Sequence, residues 1–299
     1  MKKTLLTARL AACVAFICGC DFGVAAETIQ RSVPADARGA VEIVNVAGEV
    51  RVQGWDRNEV QVSGALGEGV DKLDLHSGER RTSINVVSLP GARSAGPTHL
   101  VVRVPHDSAL SISTVSANQI VTEMRGPQRL QAVSGDIATE QWLEDVEART
   151  ISGGVDIRSH GSRGETVVNT VSGDITLVDA PAQLSLETVT GDMKVSSEKL
   201  DRARIRTTNG ELRLTATLAA TARLDAESIN GNLQFLLREP VKAQFDVETF
   251  NGEIANCFGP KPMRAHEFAP GNALRFTQGG GDARVRIKSL NGRVEICKR

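Results

Sequence analysis

The stretch "NTVSGDITL", residues 169–177, specifies the architecture because the chain repeats it with small changes. Near copies are "QAVSGDIAT" (131–139), "ETVTGDMKV" (187–195), "RTTNGELRL" (206–214), "ESINGNLQF" (227–235), "ETFNGEIAN" (248–256) and "KSLNGRVEI" (288–296). Each copy places Ser, Thr or Asn and then Gly between two short apolar-alternating segments, a pattern typical of strand, turn and strand. The repeat therefore predicts one structural unit that is used many times.

The turn glycine of each copy marks the period of the repeat. It falls at Gly135, Gly153, Gly173, Gly191, Gly210, Gly231, Gly252 and Gly292, with spacings of 18, 20, 18, 19, 21, 21 and 40 residues. A period near 20 residues indicates a solenoid, in which each unit buries its apolar face only by stacking on its neighbours. An earlier copy, "ISTVSANQI", has Ala117 in place of the glycine.

The composition agrees with a β fold. Hydrophobic residues make up 40% of the 299-residue chain, whereas aromatic residues make up 3% and Tyr is absent. The core must then consist mainly of Val, Ile and Leu, which favour pleated, half-buried surfaces. The sequence predicts an all-β, single-chain solenoid of the parallel β-helix type, with coils of about 18–21 residues.

Three apolar columns accompany the glycines. The second residue before the glycine is Val115, Val133, Ile151, Val171, Val189, Thr208, Ile229, Phe250 or Leu290. The second residue after it is Ile137, Ile175, Met193, Leu212, Leu233, Ile254 or Val294. The fifth residue before it is Ile112, Leu130, Ala148, Val168, Leu186, Ile205, Ala226, Val247 or Ile287. Because neighbouring coils lie about 4.8 Å apart, we expect each column to form a continuous stripe of the core.

The corner residues also form columns. A tight corner calls for glycine because the backbone adopts a positive φ or the next coil approaches closely. The residue before the glycine is Ser, Thr or Asn, which bond nearby backbone. The third residue before it carries a hydroxyl in most copies, from Thr114 through Thr170 to Ser289. We expect these hydroxyls to form a ladder that bonds up and down the stack.

The residue after the glycine is the best candidate for chemistry. It is Asp136, Asp174 and Asp192 in three copies, and Glu, Asn or Arg in the later ones. Stacked carboxylates would repel unless they met cations, so a calcium-binding ladder is one interpretation. The dense Gly/Asp nonapeptide of calcium-binding repeats is missing, however. We therefore expect solvated turns, with no metal, no cofactor and no catalytic residue.

The first residues predict export. Lys2 and Lys3 precede the apolar run 10–18, and small residues follow up to Ala26, which is the layout of a signal peptide over residues 1–26. We expect an exported protein of the periplasm or cell surface, with no transmembrane segment in the mature chain. A competing interpretation takes "ICGC" (17–20) as a lipoprotein box with a lipid anchor at Cys20.

The mature chain divides into two predicted regions. Residues 27–110 follow the repeat less closely and alternate like hairpin strands, so they are expected to cap and join the solenoid. Residues 111–299 hold the solenoid repeats. The long last interval, about 257–282, contains either a further coil or a hairpin excursion.

Two cysteines decide between these alternatives. Cys257 and Cys297 each lie five residues after a turn glycine, and so occupy the same position in their coils. In adjacent coils their Cα atoms would lie about 4.8 Å apart, within disulfide range, whereas an intervening coil would roughly double that distance. Export favours bonded cysteines. We predict a Cys257–Cys297 disulfide that fastens the C-terminal coil, and an excursion rather than a further coil.

Several function classes receive no support. The formal charge of −1, with 35 basic and 36 acidic residues interspersed, offers no basic surface for nucleic acid. The histidines show no metal-binding spacing, and no nucleophile or phosphate-loop motif is present. Trp55 and Trp142 are expected to cover exposed edges of the core rather than to stack on sugars.

Four segments together carry a family resemblance. The repeated "VSGD" corners, "VRVQGWDRNEVQVSG" (50–64), "LVVRVP" (100–105) and the terminal "NGRVEIC" resemble the putative-adhesin family of exported bacterial proteins. The resemblance covers about residues 40–298 and rests on the repeat. It implies a β-solenoid in the cell envelope, in a group that is largely a domain of unknown function, and it supplies no catalytic residues.

These observations lead to one functional expectation and two alternatives. We expect a non-enzymatic exported cell-envelope protein, an adhesin or interaction scaffold, whose partner is an envelope protein or a glycan. One alternative is an accessory module of an envelope-sensing system. The other is a polysaccharide-modifying β-helix enzyme that would use Asp136, Asp174 or Asp192.

Overall fold

The computed structural model describes residues 28–91, 96–265 and 270–299, and within these ranges it contains strands and turns but no helix. Accordingly, no helix in the described ranges is long and apolar enough to cross a membrane. The predicted signal peptide (1–26) and the predicted lipid anchor at Cys20 lie outside the described residues. The prediction of an all-β solenoid is confirmed.

The described residues form 23 strands. The first twelve are β1 (Thr28–Pro34), β2 (Ala40–Trp55), β3 (Glu59–Ala65), β4 (Val70–Ser77), β5 (Arg81–Ser88), β6 (Thr98–Pro105), β7 (Ala109–Thr122), β8 (Gln128–Ser134), β9 (Ile137–Gln141), β10 (Val146–Ser152), β11 (Val155–Ser159) and β12 (Glu165–Ser172). The others are β13 (Ile175–Val178), β14 (Gln183–Thr190), β15 (Met193–Asn209), β16 (Leu212–Asn230), β17 (Leu233–Leu237), β18 (Ala243–Asn251), β19 (Ile254–Asn256), β20 (Met263–Arg264), β21 (Asn272–Gln278), β22 (Ala283–Asn291) and β23 (Val294–Lys298).

Two walls of parallel strands meet at the glycine corner. The first wall holds the strands before each glycine, and there Ala148 of β10 pairs with Leu130 of β8 and Val168 of β12. The second wall holds the strands after it, and there Ile157 of β11 pairs with Thr139 and Leu177. The long strands β15 and β16 contribute to both walls, first to the second wall of one coil and then to the first wall of the next.

The coil order departs from the chain order at the N-terminal end. Strand β2 lies between β7 on one side and the outer coil of β5 and β6 on the other, so that Ile43 pairs with both Ile84 and Ile112. The first coil in the chain is therefore the second in space. Strands β1, β3 and β4 pair antiparallel around this end. Residues 27–110 thus hold two coils in addition to their antiparallel strands.

The C-terminal end is arranged in the same way. The last coil, β22 and β23, lies between the coil of β16 and β17 and the outermost coil of β18 and β19, so that Ile287 pairs with both Ala226 and Val247. Residues 257–265 and 270–282 belong to an excursion whose strand β21 pairs antiparallel with β18. Arg275 on β21 bonds Asp246 and Glu248, and these bonds raise the pKa of Arg275. The excursion covers the outer strand of the first wall, which would otherwise be open to intermolecular pairing.

Two of the three apolar columns form the core. The fifth residue before each glycine and the second residue after it are buried, as for Val168 and Ile175, both 0% exposed. The resulting aliphatic stripes run from coil to coil along the interior. This part of the core prediction agrees with the structure.

The third column lies outside, so its assignment to the core is wrong. Val171, two residues before the glycine, is 48% exposed, and Ile151 is 53% exposed. The reason is parity: side chains alternate along a strand, so positions five and two before the glycine, an odd number apart, face opposite sides. The side chain that shares the interior with Val168 is Thr170, which is 4% exposed.

Candidate functional site

The glycine column is explained by close approach between coils. A Cβ atom built on Gly173 would lie 1.9 Å from the carbonyl oxygen of Gly153, and one on Gly191 would lie 2.1 Å from that of Gly173. No side chain fits at such distances. The same contact with the neighbouring coil recurs at Gly135, Gly153, Gly210, Gly231, Gly252 and Gly292.

The carboxylates after the glycines hold the backbone of the next coil. Asp136 Oδ1 accepts a hydrogen bond from the Gly154 N–H at 2.8 Å, and Asp174 Oδ1 accepts one from the Asp192 N–H at 2.8 Å. Asp192 in turn accepts from the Glu211 N–H at 2.8 Å. At each of these corners an exposed side-chain oxygen therefore accepts a hydrogen bond from a backbone N–H of the neighbouring coil. Asn232 makes the equivalent bond to the Arg293 N–H at 3.1 Å, so the column needs an acceptor rather than a charge.

This geometry gives the three aspartates a structural role. They are exposed, and the described part of the chain contains no group of three or more His, Cys, Asp or Glu side chains placed to hold a metal ion. The residues before the glycines add a second ladder in the C-terminal half. There Asn230 Nδ2 donates to Asn209 Oδ1 at 2.8 Å, and Asn291 Nδ2 donates to Asn230 Oδ1 at 2.8 Å.

The hydroxyl column faces the interior. Its hydroxyls bond carbonyls at the outer corners, as Thr114 does with Ala117 and Thr249 with Gly252. In the middle coils the hydroxyl oxygens are buried without a hydrogen-bond partner among the described residues: Thr150, Thr170, Thr188, Thr207 and Ser228. The predicted bonding from coil to coil is therefore not seen in these five coils.

An exposed apolar row runs along the outer face of the first wall, beside the glycine corner. We call it the corner stripe; in spatial order it comprises Val115, Val133, Ile151, Val171, Val189, Thr208, Ile229, Leu290 and Phe250. Its eight apolar members are 43–53% exposed. Nine rows about 4.8 Å apart make the corner stripe about 38 Å long.

Charged side chains flank the corner stripe. Beside Val189 and Leu290, Arg206 Nε lies 3.3 Å from Glu227 Oε2, and both side chains are partly exposed. These residues line a shallow cavity of about 540 Å³ on the stripe. The result is an apolar centre with a polar margin, the layout of a protein interaction surface.

A second surface collects aromatic and charged groups at the far end of the second wall. We call it the tryptophan groove; it has a volume of about 510 Å³ and is lined by Gln53, Gly54, Trp55, Asp56, Arg103, His106, Glu123, Arg125 and Trp142. The two tryptophans are the only ones in the chain. They reach the groove from β2 and from the turn after β9, and neither is fully buried.

Each tryptophan is held in place. The Trp55 Nε1–H donates to the Glu59 carbonyl at 2.9 Å, and the Arg103 guanidinium lies 5.9 Å from the ring centroid. Trp142 stacks on His160 with centroids 4.2 Å apart and an interplanar angle of 18°. The rings are therefore oriented before any ligand arrives.

Charged groups fix the middle of the groove. The His106 ring lies between two carboxylates, with Nε2 2.7 Å from Asp56 Oδ1 and Nδ1 2.9 Å from Asp107 Oδ1. Arg125 Nη1 lies 3.2 Å from His106 Nε2. Glu123 has a left-handed backbone with φ of 57°, which is costly for a non-glycine residue. Its carboxylate accepts a hydrogen bond from Gln53 Nε2 at 3.2 Å.

Sequence reasoning treated Trp55 and Trp142 separately and missed that they share a groove. The strand register brings them close, because Gln53 pairs with Thr122 and Val121 pairs with Thr139. The ends of three adjacent coils therefore meet. The sequence did not indicate this proximity, because the coil of β2 is second in the stack although it is first in the chain.

The stacked coils, the glycine corner and the antiparallel end strands define a β-solenoid with capped ends. The chain belongs to the Toastrack DUF4097 family, whose sequence model matches residues 38–296. This confirms the family resemblance noted from the repeat. No curated protein matches the sequence.

Solved structures are similar at low identity. A putative lipid binding protein from Parabacteroides distasonis is 13% identical, with 91% of this chain and 96% of that chain covered and a TM-score of 0.53. A putative adhesin from Bacteroides fragilis is 10% identical, with 90% and 96% covered and a TM-score of 0.44. The first similarity supports the same fold.

Proposed function

We propose that this protein is a non-enzymatic, exported cell-envelope protein that binds a macromolecular partner through the corner stripe. The observation that carries the proposal is the stripe itself, in which eight of nine coils present a half-exposed apolar side chain and Thr208 is the one interruption. Large contiguous apolar patches on a protein surface mark interaction sites. The partner would be an envelope protein or glycan surface that runs along the solenoid.

The apolar character of the corner stripe is not required by the fold. Thr208 occupies the same position in its coil, and its strand pairs normally with both neighbours. A hydroxyl is thus compatible with the backbone there. Covering the exposed half of each Val or Ile would yield roughly 1 kcal/mol. Six such side chains, together with Leu290 and Phe250, make the stripe a substantial source of binding free energy.

The enzyme alternative has weaker support. One carboxylate oxygen of each candidate aspartate already accepts a hydrogen bond from a backbone N–H of the next coil; this holds for Asp136, Asp174 and Asp192. All three side chains are exposed, and Asp192 lines only an open surface cavity of about 400 Å³, together with Glu211 and Arg293. A polysaccharide-cleaving site places two carboxyl groups on either side of one bond, inside a groove.

Export is supported by two features of the chain. The N-terminal pattern of residues 1–26 is that of a signal peptide. The Cys257–Cys297 disulfide fits an oxidising compartment. Both are consistent with a position in the periplasm or at the cell surface.

The test replaces three central stripe residues with the residue that the column already contains. The variant Ile151→Thr, Val171→Thr, Val189→Thr keeps β-branched side chains and makes the middle of the corner stripe polar. Val101→Thr is the matched control, because Val101 is 40% exposed but lies on the second wall. Cells that produce the triple variant should attach to surfaces less well and tolerate envelope stress less well than cells with the control. Equal attachment and tolerance in both strains would refute the proposal.

A further inference from the structure

We propose that the tryptophan groove binds a neutral saccharide. The inference does not depend on the corner stripe, because the two surfaces lie on different walls. It rests on three features of the groove: two oriented aromatic rings, planar hydrogen-bonding groups in the same lining, and balanced charge.

The aromatic rings supply a platform. Trp55 and Trp142 account for all the tryptophan of a chain that is 3% aromatic and has no Tyr, yet both line this one groove. A sugar ring offers a face of C–H groups that packs on an indole, while its hydroxyls remain at the ring edge. Pre-oriented aromatic side chains give contact area at a low cost in conformational entropy.

The polar groups match hydroxyl ligands. The Gln53 amide and the Glu123 carboxylate are hydrogen-bonded to each other at 3.2 Å, and Arg125 lies beside them in the lining. Carboxylates accept from hydroxyls, guanidinium groups donate to them, and an amide does both. Such planar groups can each engage two neighbouring hydroxyls of one sugar.

The charges of the lining select a neutral ligand. Asp56 and Glu123 contribute two negative charges, and Arg103 and Arg125 contribute two positive charges. No field of one sign is left to attract an anionic or a cationic polymer. Uncharged sugars, which bind through hydrogen bonds and stacking, fit this balance.

The tryptophans, rather than the turn that carries Glu123, distinguish this groove from the other coils. Glu123 has the same left-handed backbone as Asp179, which follows β13 in another coil, so this conformation belongs to the turn and is not evidence of a ligand site. Equivalent turns such as 178–182 contain no aromatic residue.

Intrinsic fluorescence reads the groove directly, because both indoles of the chain lie in it. The full secreted chain is titrated with cellohexaose, chitohexaose and mannohexaose as neutral probes, and with polygalacturonate as an acidic probe. At least one neutral probe should shift the tryptophan emission in a saturable way. Trp142→Ala and Gln53→Ala should each weaken that binding about tenfold or more.

Controls separate binding from folding. Trp142→Phe retains an aromatic ring and leaves Trp55 as the single reporter, so it should keep part of the affinity. The thermal unfolding of each variant is recorded in parallel, and Gln53→Ala serves as the test if Trp142→Ala does not fold. The stripe variant Ile151→Thr, Val171→Thr, Val189→Thr should bind the probe like the wild type, which distinguishes this inference from the proposed function.

Two results would overturn the inference. The first is that no neutral probe changes the emission, or that polygalacturonate alone does. The second is that a neutral probe binds equally well to the wild type and to folded Gln53→Ala and Trp142→Ala variants.

Discussion

Cys297, in the last strand, is disulfide-bonded to Cys257, which follows the outermost coil, with Cα atoms 4.8 Å apart. The bond joins the final coil to the coil outside it, because β23 pairs with both β17 and β19. Strand β23 therefore lies inside the stack rather than at its edge. The disulfide closes a segment of 40 residues, which contains the excursion that covers the end of the solenoid.

Reduction of this disulfide should lower the stability. Closing a segment of this length removes unfolded-state entropy equivalent to about 4 kcal/mol in the chain-entropy model. Urea unfolding with and without reductant measures the effect, and the double variant Cys257→Ser, Cys297→Ser should behave like the reduced wild type. An unfolding midpoint of the wild type that does not respond to reductant would contradict the role given to the bond.

Two adjacent glycines should differ sharply in their tolerance of alanine. A Cβ on Gly153 would lie 2.1 Å from the Gly135 carbonyl oxygen, whereas the nearest atom to a Cβ on Gly154 is 3.6 Å away. Gly153→Ala should lower the free energy of unfolding by about 3 kcal/mol because the coils must separate. Gly154→Ala should change it by less than about 1 kcal/mol. Similar losses in both variants would show that coil approach is not the cause of the column.

Substitutions in the aspartate column should lower the stability when they remove the hydrogen-bond acceptor, and not when they remove only the charge. Asp174→Ala removes the acceptor for the Asp192 N–H and should cost about 1 kcal/mol. Asp174→Asn should retain most of the stability, since Asn232 makes the same bond in its coil. Thermal unfolding with and without a chelator completes the test. A stability loss on chelation, in the wild type but not in Asp174→Ala, would instead indicate a metal ladder.

The buried hydroxyls of the middle coils should be dispensable. Thr170 Oγ1 is buried without a partner among the described residues, so Thr170→Val should leave the stability unchanged or raise it by about 1 kcal/mol. Thr114 is the control, because its hydroxyl donates to Ala117 O and accepts from Gln119 Nε2. Thr114→Val should lower the stability by about 1–3 kcal/mol. Equal losses at both sites would mean that Thr170 has a partner in solution.

The repeat made most of the fold predictable. The glycine spacing predicted the length of each coil. Cys257 and Cys297 lie at the same distance from their turn glycines, which predicted that their two coils are adjacent. The coil order was not predictable, because β2 and β22 insert beside two neighbours each and periodicity alone does not encode that choice. The order of the coils depends on pairing between strands that are far apart in the sequence.

The two candidate surfaces were harder to predict for different reasons. The corner stripe was assigned to the core because Val171 is apolar, although strict alternation from Val168 places it outside. Counting alternate residues along the strand would have placed Val171 on the outer face. The tryptophan groove depends on the inserted first coil, so no local pattern around Trp55 or Trp142 indicated it.

The most direct measurement is the labelling rate of a single cysteine in the corner stripe. A Val171→Cys variant of the secreted protein is treated with a maleimide, alone and after addition of an envelope fraction, with Val101→Cys as the control on the second wall. The account predicts rapid labelling of Val171→Cys alone and strong protection by the envelope fraction, with Val101→Cys labelled in both cases. Failure to label Val171→Cys in the isolated protein, or equal labelling with and without the envelope fraction, would contradict it.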